Sequence, residues 1–375
     1  MSVAFRLYSS GRKPIRKYAR PLLARHLFQK PFGGQARRVL FVYFPSNIGT
    51  SQIFPFFYYK DILETRYNVE FRALSLPELV DSDRGGPRGA DVVLLQTWYA
   101  LTDDEKAAIF GKLSEHHPGA KLVYLDWCAP VDLRLADFLD DKIALYVKKQ
   151  VFRDFSQYRC ATLGDTNLVD HYAKRYGLSF ATVRHEPPSG FREKLLIGPG
   201  FFTAHNLLPG FRSKAPPGDP RPIDLNARIR ASSTDWYGMM RRDAFEAAAS
   251  IKGHRVVTEF GLSWRQYLAE LRRSKLCFSP FGYGEVCWRD YEAMMTGSLL
   301  LKPDVSHLVT DPDVFVPGET YVPLAWDFSD LADKVDYYVR HEDERRTIAE
   351  NAFNVIHRYL TEGRFADFAG RIFAS

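Results

Sequence analysis

The sequence lacks the long apolar runs and the cysteine patterns that would indicate a membrane-spanning or disulfide-bonded protein. No window approaches the roughly 18 uninterrupted apolar residues of a transmembrane helix. Arginines and prolines interrupt the apolar groups at the N-terminus, so no signal peptide is predicted. The four cysteines form no metal-type pair and no dense framework, which is typical of reduced thiols in a cytoplasmic protein. A length of 375 residues favours two folded domains.

Acidic residues are absent from the first part of the chain. Residues 1–38 contain ten Lys or Arg and no Asp or Glu, whereas the remainder holds 41 basic and 45 acidic residues. Apolar residues between positions 15 and 27 recur at helical spacing, which predicts a surface helix on an anionic membrane at the inner face. A solvated or disordered arm, a helix packed on the body and a mitochondrial transit peptide are the alternatives.

Continuous apolar strands alternate with helical segments through the rest of the chain, and this rhythm predicts parallel sheets covered by helices on both faces. The predicted fold class is α/β, with two Rossmann-like domains whose parallel sheets face each other across a cleft. The predicted divisions are a basic leader (1–37), an N-terminal Rossmann-like domain (38–208), a proline-rich linker (209–222), a C-terminal Rossmann-like domain (223–355) and a C-terminal helix packing back toward the N-terminal domain (356–375).

Several nucleotide and metal motifs are missing. The sequence has neither the Gly-x-Gly-x-x-Gly spacing of dinucleotide sites nor the phosphate loop of NTPases. Asp81-Ser82-Asp83 matches an Asp-x-Asp metal pattern, but it lies among Arg, Gly and Pro residues and is interpreted as a chance match. We therefore expect no metal and no cofactor.

The stretch SPFGYGEVCWRDYEAMMTGSLLLKP, residues 279–303, combines a strand end, a glycine loop, a helix and a second strand. The helix N-terminus offers free N–H groups to a phosphate, and Arg289 can add a charge-assisted hydrogen bond. Glu292, one turn later, can accept hydrogen bonds from ribose hydroxyls. An ordinary Arg–Glu salt bridge is the alternative. The loop residues predicted to contact the ligand are Gly282, Tyr283, Gly284 and Glu285.

Arg289-x-x-Glu292-Ala293 followed by Gly297, after a Ser-Pro-x-Gly strand end, resembles the nucleotide-sugar-binding segment of glycosyltransferases with two Rossmann-like domains (GT-B type). The likeness is greatest to the exostosin-like branch and to bacterial relatives that build surface polysaccharides, and it covers most of the second domain. The resemblance implies that Glu292 holds the ribose and Arg289 the phosphates of a UDP- or GDP-linked sugar, without a metal.

Further candidates follow the predicted strands, at the edge where such sheets bind ligands. Arg228 and Arg230 are predicted to stabilise the departing diphosphate, and Arg242 can join them; an ordinary surface arginine is the alternative for each. Asp126 is the candidate general base on the acceptor hydroxyl, with Asp132 and His171 as weaker ones. Alternatively, Asp126 only caps the turn before Pro130. If the transfer retains the anomeric configuration of the sugar, no general base is needed. The remaining candidates are acceptor-loop residues and two lysines at a strand end: Asn47, Gly49, Thr50, Lys148 and Lys149.

These observations predict a glycosyltransferase that acts on a glycan or lipid-linked saccharide in cell-surface polysaccharide synthesis. A nucleic-acid-binding protein using the basic arm is one alternative, although the body carries more acidic than basic residues and shows no nucleic-acid-binding module. A catalytically silent nucleotide-sugar-binding scaffold is the other, because binding residues do not prove chemistry.

Overall fold

The computed structural model describes residues 30–81, 86–213, 216, 220–230 and 235–374. The predicted helix of the basic leader, two residues of the Asp-x-Asp match and part of the predicted linker lie outside the described residues.

The first domain is built on a six-stranded parallel sheet with the strand order β2-β1-β3-β4-β5-β9. Its strands are β1 (Arg37–Tyr43), β2 (Val69–Ser75), β3 (Val92–Leu95), β4 (Lys121–Asp126), β5 (Leu145–Lys148), β6 (Val151–Phe152), β7 (Thr162–Leu163), β8 (Thr182–Val183) and β9 (Leu195–Ile197). Strands β7 and β8 form a separate antiparallel pair. Val39 to Val42 are completely buried because helices cover both faces of the sheet.

The helices of this domain connect its strands. They are α1 (Asn47–Tyr58), α2 (Lys60–Tyr67), α3 (Leu76–Asp81), α4 (Asp103–His116), α5 (Ala136–Leu139), α6 (Asn167–Tyr176), α7 (Phe191–Lys194) and α8 (Leu208–Phe211), with 3-10 turns at Phe155–Arg159 and Phe201–Thr203. Thr102 caps α4 in a capping box with Glu105, as the sequence predicts.

The second domain repeats the same design with a five-stranded parallel sheet of order β11-β10-β12-β13-β15. Its strands are β10 (Ile223–Asn226), β11 (Val256–Val257), β12 (Ser274–Phe278), β13 (Leu299–Pro303), β14 (Leu308–Val309) and β15 (Val322–Leu324). Its helices are α9 (Trp236–Ala249), α10 (Trp264–Leu271), α11 (Trp288–Thr296) and α12 (Leu331–Arg340), and the chain ends with α13 (Glu342–Thr361) and α14 (Arg364–Phe373). In both sheets the strand order reverses beside the first strand, where α/β proteins bind ligands.

Contacts of several kinds join the two domains. Strand β6 of the first domain pairs antiparallel with β14 of the second. The Tyr172 hydroxyl of α6 donates a hydrogen bond to the Trp326 carbonyl at 2.8 Å, and the Tyr172 ring stacks on Trp236 at 6.0 Å. Helix α14 crosses back to the first domain, where Phe365 contacts Phe56. This packing fixes the width of the cleft between the sheets.

Some predicted elements differ from the observed ones for identifiable reasons. The sequence of residues 144–151 predicts one strand but forms two short ones, because the chain leaves the first sheet after Lys148 and pairs with β14 from Val151. The sequence of residues 254–260 also predicts a strand, of which only two residues pair at the sheet edge. The predicted loop after β1 is the first turn of α1, which Ser46 caps by accepting a hydrogen bond from the Gly49 N–H.

Within the described part of the chain, no helix is both long enough and apolar enough to cross a bilayer.

The packing of α14 on the first domain predicts that truncating a side chain of this helix lowers the stability of the protein. Phe365 is buried against Phe56 and stacks on Tyr59 at 5.3 Å. Phe365→Ala should therefore lower the free energy of unfolding by about 3–5 kcal/mol. Asp367→Ala is the matched control on the same helix, because it breaks only the exposed ion pair with Arg66 and should cost about 1 kcal/mol or less. Urea unfolding followed by circular dichroism measures both, and equal losses would contradict the packing.

Candidate functional site

Two cavities meet between the domains, one at the carboxyl edge of each sheet. The first, of about 400 Å³, lies at the point where the strand order of the second sheet reverses. Its lining includes Arg228, Tyr237, Arg241, Glu259, Phe260, Gly261, Leu262, Tyr267, Ser279, Pro280, Gly282, Cys287, Trp288, Arg289 and Glu292. The position agrees with the general rule for ligand binding in doubly wound sheets.

The start of α11 is held by a buried ion pair. Lys302 of β13 lies 3.0 Å from the carboxylate of Asp290, and both side chains are fully buried. The same carboxylate accepts hydrogen bonds from the Ser279 hydroxyl at 2.5 Å and from the Cys287 N–H at 2.8 Å. Asp290 thereby ties the end of β12, the loop and the helix to one point. This arrangement directs Arg289 and Glu292 toward the first cavity.

Three arginines bring positive charge to the first cavity. The Arg289 guanidinium donates to the Arg228 carbonyl at 2.7 Å, and the Arg241 guanidinium donates to the Arg230 carbonyl at 2.6 Å. The Arg228 guanidinium pairs with both oxygens of Glu270 at 2.6 Å, and these hydrogen bonds raise the pKa of Arg228. Burial lowers the pKa of Arg241, because removing the guanidinium from water disfavours its charged form. Such preorganised guanidinium groups are suited to an anionic ligand.

Two predicted arginines do not contribute their side chains. Arg230 and Arg242 are exposed and do not line the first cavity. Arg230 contributes its carbonyl instead, and Arg241, which the sequence analysis did not select, reaches the cavity from α9. The choice between Arg241 and Arg242 depends on the rotation of α9 about its axis, which a pair of adjacent arginines does not reveal.

Glu292 stands at the junction of the two cavities. It lines both of them, as does Trp288 one helical turn earlier. The Trp264 indole N–H donates to Glu292 Oε1 at 3.0 Å and holds the carboxylate in place. Tyr267 also lines the first cavity, and its buried hydroxyl makes no hydrogen bond with another described residue. The site thus presents a carboxylate and a phenol beside the arginines.

Three of the four loop residues predicted to bind a ligand have other roles. Gly282 lines the first cavity, but Tyr283 is 57% exposed and stacks on Tyr237 at 4.3 Å. A Cβ on Gly284 would lie 2.0 Å from the Ala129 carbonyl oxygen, so this glycine permits contact between the domains rather than contact with a ligand. Glu285 is fully buried and lines neither cavity, and its nearest basic group is His307 at 3.9 Å.

The second cavity, of about 630 Å³, opens at the carboxyl edge of the first sheet. Its lining comprises Phe44, Ser46, Asn47, Ile48, Trp98, Tyr99, Trp127, His205, Asn206, Trp288 and Glu292. Of the predicted loop residues only Asn47 lines it, because Gly49 and Thr50 are turned into the first domain at the start of α1. His205 and Asn206 follow none of the predicted strands and were not among the predicted site residues.

Asp126 lines neither cavity, and its contacts do not support the general-base role predicted for it. Its carboxylate is 3% exposed and binds Lys148 at 2.5 Å, the Tyr146 hydroxyl at 2.6 Å and the Cys128 N–H at 2.8 Å. Three hydrogen bonds from the first domain thus hold the buried carboxylate. Asp126 thereby fixes the end of its strand, away from both cavities.

The other acid–base candidates, Asp132 and His171, line neither cavity. Asp132 binds Arg134 at 2.7 Å, and His171 packs against Trp326 at 4.8 Å. Lys148 is the partner of Asp126, and Lys149 donates to the Cys128 carbonyl at 2.6 Å. Neither lysine lines the first or the second cavity. Burial and the neighbouring charge of Lys148 lower the pKa of Lys149 to about 8.

Comparison with known proteins identifies the class of this architecture. Residues 240–370, from α9 to α14, match a family model described as glycosyl transferase-like. No curated protein sequence matches the chain. A glycosyltransferase structure from Rickettsia africae ESF-5 is similar with a TM-score of 0.54 and 11% sequence identity, over 91% of this chain and 98% of that one. The chain therefore has the two-domain fold of GT-B glycosyltransferases, and the predicted fold class and resemblance are confirmed.

Two further structures show weaker similarity. HepE from Anabaena, solved with UDP, has a TM-score of 0.46 and 10% identity over 89% of this chain and 98% of HepE. TarM has a TM-score of 0.45 and 9% identity over 89% of this chain. The chain spans 61% of the length of TarM.

The buried pair of Asp290 and Lys302 predicts a large effect of a single substitution. Asp290→Ala leaves the Lys302 charge buried without a partner and should lower the free energy of unfolding by about 3–5 kcal/mol in urea denaturation. Asp313→Ala is the control, because its exposed pair with Arg153 should contribute about 1 kcal/mol or less. The double variant Asp290→Leu with Lys302→Met should recover much of the loss. A cost near that of the control would refute the anchoring role of Asp290.

The lowered pKa of Lys149 predicts a defined pH dependence of stability. Its usual value of 10.5 applies to the unfolded chain, and about 8 applies to the folded protein. Between these two pH values Lys149 is protonated in the unfolded chain and largely neutral in the folded protein. The free energy of unfolding of the wild type should therefore rise, relative to that of Lys149→Met, as pH increases from about 8 to 10.5. Thermal unfolding of both proteins from pH 7 to 10.5 measures the difference. Parallel profiles would show that Lys149 has an ordinary pKa.

Proposed function

We propose that this protein is a glycosyltransferase that moves a sugar from a UDP- or GDP-linked donor to a glycan or lipid-linked saccharide in cell-surface polysaccharide synthesis. The observation that carries the proposal is the first cavity, where arginines and a carboxylate converge at the switch point of a glycosyltransferase-like domain. That combination is suited to the two chemically different parts of a nucleoside diphosphate.

The diphosphate is assigned to the cationic side of the first cavity. Arg241 and Arg289 line it beside the first turn of α11, whose N–H groups favour an anion. As the bond to the sugar breaks, negative charge develops on the diphosphate, and fixed guanidinium groups stabilise it without reorganisation. The positive charge is supplied by side chains, so the proposal needs no metal ion.

The nucleoside is assigned to the opposite side of the same cavity. Glu292, held by Trp264, accepts hydrogen bonds from the ribose hydroxyls. Phe260 and Leu262 are exposed apolar side chains at the cavity wall, where a nucleobase would be covered.

The transferred sugar then lies near Glu292 and Trp288, where the cavities join. A hydroxyl oxygen of the acceptor forms the new bond to the anomeric carbon, and the bond from that carbon to the diphosphate breaks. The nucleoside diphosphate leaves with the electron pair, and the hydroxyl proton leaves with the products. The basic leader is assigned to an anionic membrane surface that carries the acceptor.

Calorimetric titration with UDP, GDP, ADP and CMP tests the donor site. We expect one diphosphate nucleotide to bind, with Glu292→Ala weakening it by about 1.5–3 kcal/mol because a hydrogen bond to a charged group is lost. Arg241→Met should weaken binding by a similar amount. The adjacent Arg242→Ala is the matched control and should bind like the wild type, since Arg242 is exposed and lines neither cavity. The affinity should be the same with and without EDTA.

The outcomes separate the proposal from its rivals. Absence of binding by all four nucleotides, or unchanged binding by Glu292→Ala, would contradict the donor site. Nucleotide binding without release of UDP or GDP from any UDP- or GDP-sugar, even with acceptors present, would identify a silent binding protein. Salt-sensitive retention on DNA by the chain lacking residues 1–38 would favour the nucleic-acid alternative.

A further inference from the structure

The walls of the second cavity are aromatic and rigidly placed. Three of the six tryptophans of the chain, Trp98, Trp127 and Trp288, line it. The Trp127 indole donates to the Thr97 carbonyl at 2.7 Å and stacks on Phe44 with ring centroids 5.0 Å apart and an interplanar angle of 7°. Because their neighbours hold them, these rings offer preformed flat faces to a ligand.

The polar groups of this cavity are amides, a hydroxyl and an imidazole. Asn47 at the start of α1 and Asn206 after the second 3-10 turn approach from separate segments. The side-chain oxygens of both asparagines are buried, and neither makes a hydrogen bond with another described residue. Buried polar atoms are normally paired, so these two acceptors are suited to hydroxyl or amide donors of a bound molecule. Ser46 and His205 lie at the same wall.

The two cavities differ sharply in charge. Three arginines line the first cavity, whereas no lysine or arginine is among the described residues that line the second. Among the described residues that line the second cavity, Glu292 at the junction is the one with a carboxylate. A carboxylate or phosphate placed there would lose hydration without a counter-ion and would face Glu292, both of which oppose binding.

We propose that the second cavity binds an uncharged saccharide unit, the acceptor end of a neutral glycan, and discriminates against uronic acids and phosphorylated sugars. The C–H faces of a pyranose ring pack on the negative faces of the tryptophans, and its hydroxyls reach the asparagines. The inference rests on the proposed function, because Trp288 and Glu292 place this cavity beside the donor. To that function the inference adds that the acceptor sugar is uncharged, and this part is argued from the residues that line the second cavity.

Saturation-transfer difference NMR in the presence of the bound nucleotide tests this acceptor class. The probes are the methyl glycosides of glucose, galactose and N-acetylglucosamine, with those of glucuronic and galacturonic acid as charged counterparts. We expect saturation of ring C–H protons in at least one neutral glycoside and affinity at least tenfold lower for its uronate. Trp98→Ala should abolish the signal, whereas Phe180→Ala, at an exposed aromatic residue outside both cavities, should leave it unchanged.

A second variant tests the charge argument independently of aromatic packing. Ile48→Arg places a cation in the lining of the second cavity and should improve uronate binding relative to the neutral glycosides, an effect that a merely structural role of Ile48 would not produce. Equal affinity for uronates and neutral glycosides in the wild type would overturn the inference, as would nucleotide binding with no signal from any neutral glycoside. If the wild type binds no nucleotide, the proposed function is refuted instead.

Discussion

The buried ion pair between Lys302 and Asp290 is the constraint on which the candidate site depends. Asp290 is bound at once by a lysine of β13, a serine at the end of β12 and the backbone before α11. Removing two charges from water is costly unless their geometry is well satisfied, and here four polar groups satisfy one another. The helix is consequently fixed in rotation and position. Arg289 and Glu292, on either side of Asp290 in the sequence, therefore point into the cleft.

The packing between the domains gives that helix its second role. Trp288 stacks on Phe201 of the first domain at 4.9 Å, and Gly284 allows the loop to touch the Ala129 carbonyl. Since α11 is pressed against the first domain, two of its residues, Trp288 and Glu292, line both cavities. One helix thus joins a cationic cavity to an aromatic one whose described lining contains no lysine or arginine. That division is the physical basis for assigning a diphosphate to one side and a neutral sugar to the other.

Much of the architecture was predictable because it follows from local patterns. Continuous apolar strands separated by helices are found in buried parallel sheets, and both sheets are of this kind. Arg289 and Glu292 were likewise recognisable from their spacing after a glycine loop. Most of the predicted site residues that do not line a cavity were chosen for one reason, their position just after a strand. That position does not determine the direction in which the side chain points. Asp126 and Lys148 end neighbouring strands and bind each other, whereas Glu285 is buried beneath the loop that was expected to bind ligand.

The two α/β domains and the arginine–glutamate helix at the edge of the second sheet can be predicted from local sequence patterns. They follow from hydrophobic periodicity, turn residues and capping, which act over a few neighbouring residues. Tertiary packing was needed to show that Arg241 rather than Arg242 reaches the first cavity, and that Trp98, Trp127 and Trp288 meet in the second. Those outcomes depend on helix rotation and on contacts between residues far apart in the chain, and no local pattern encodes such distances.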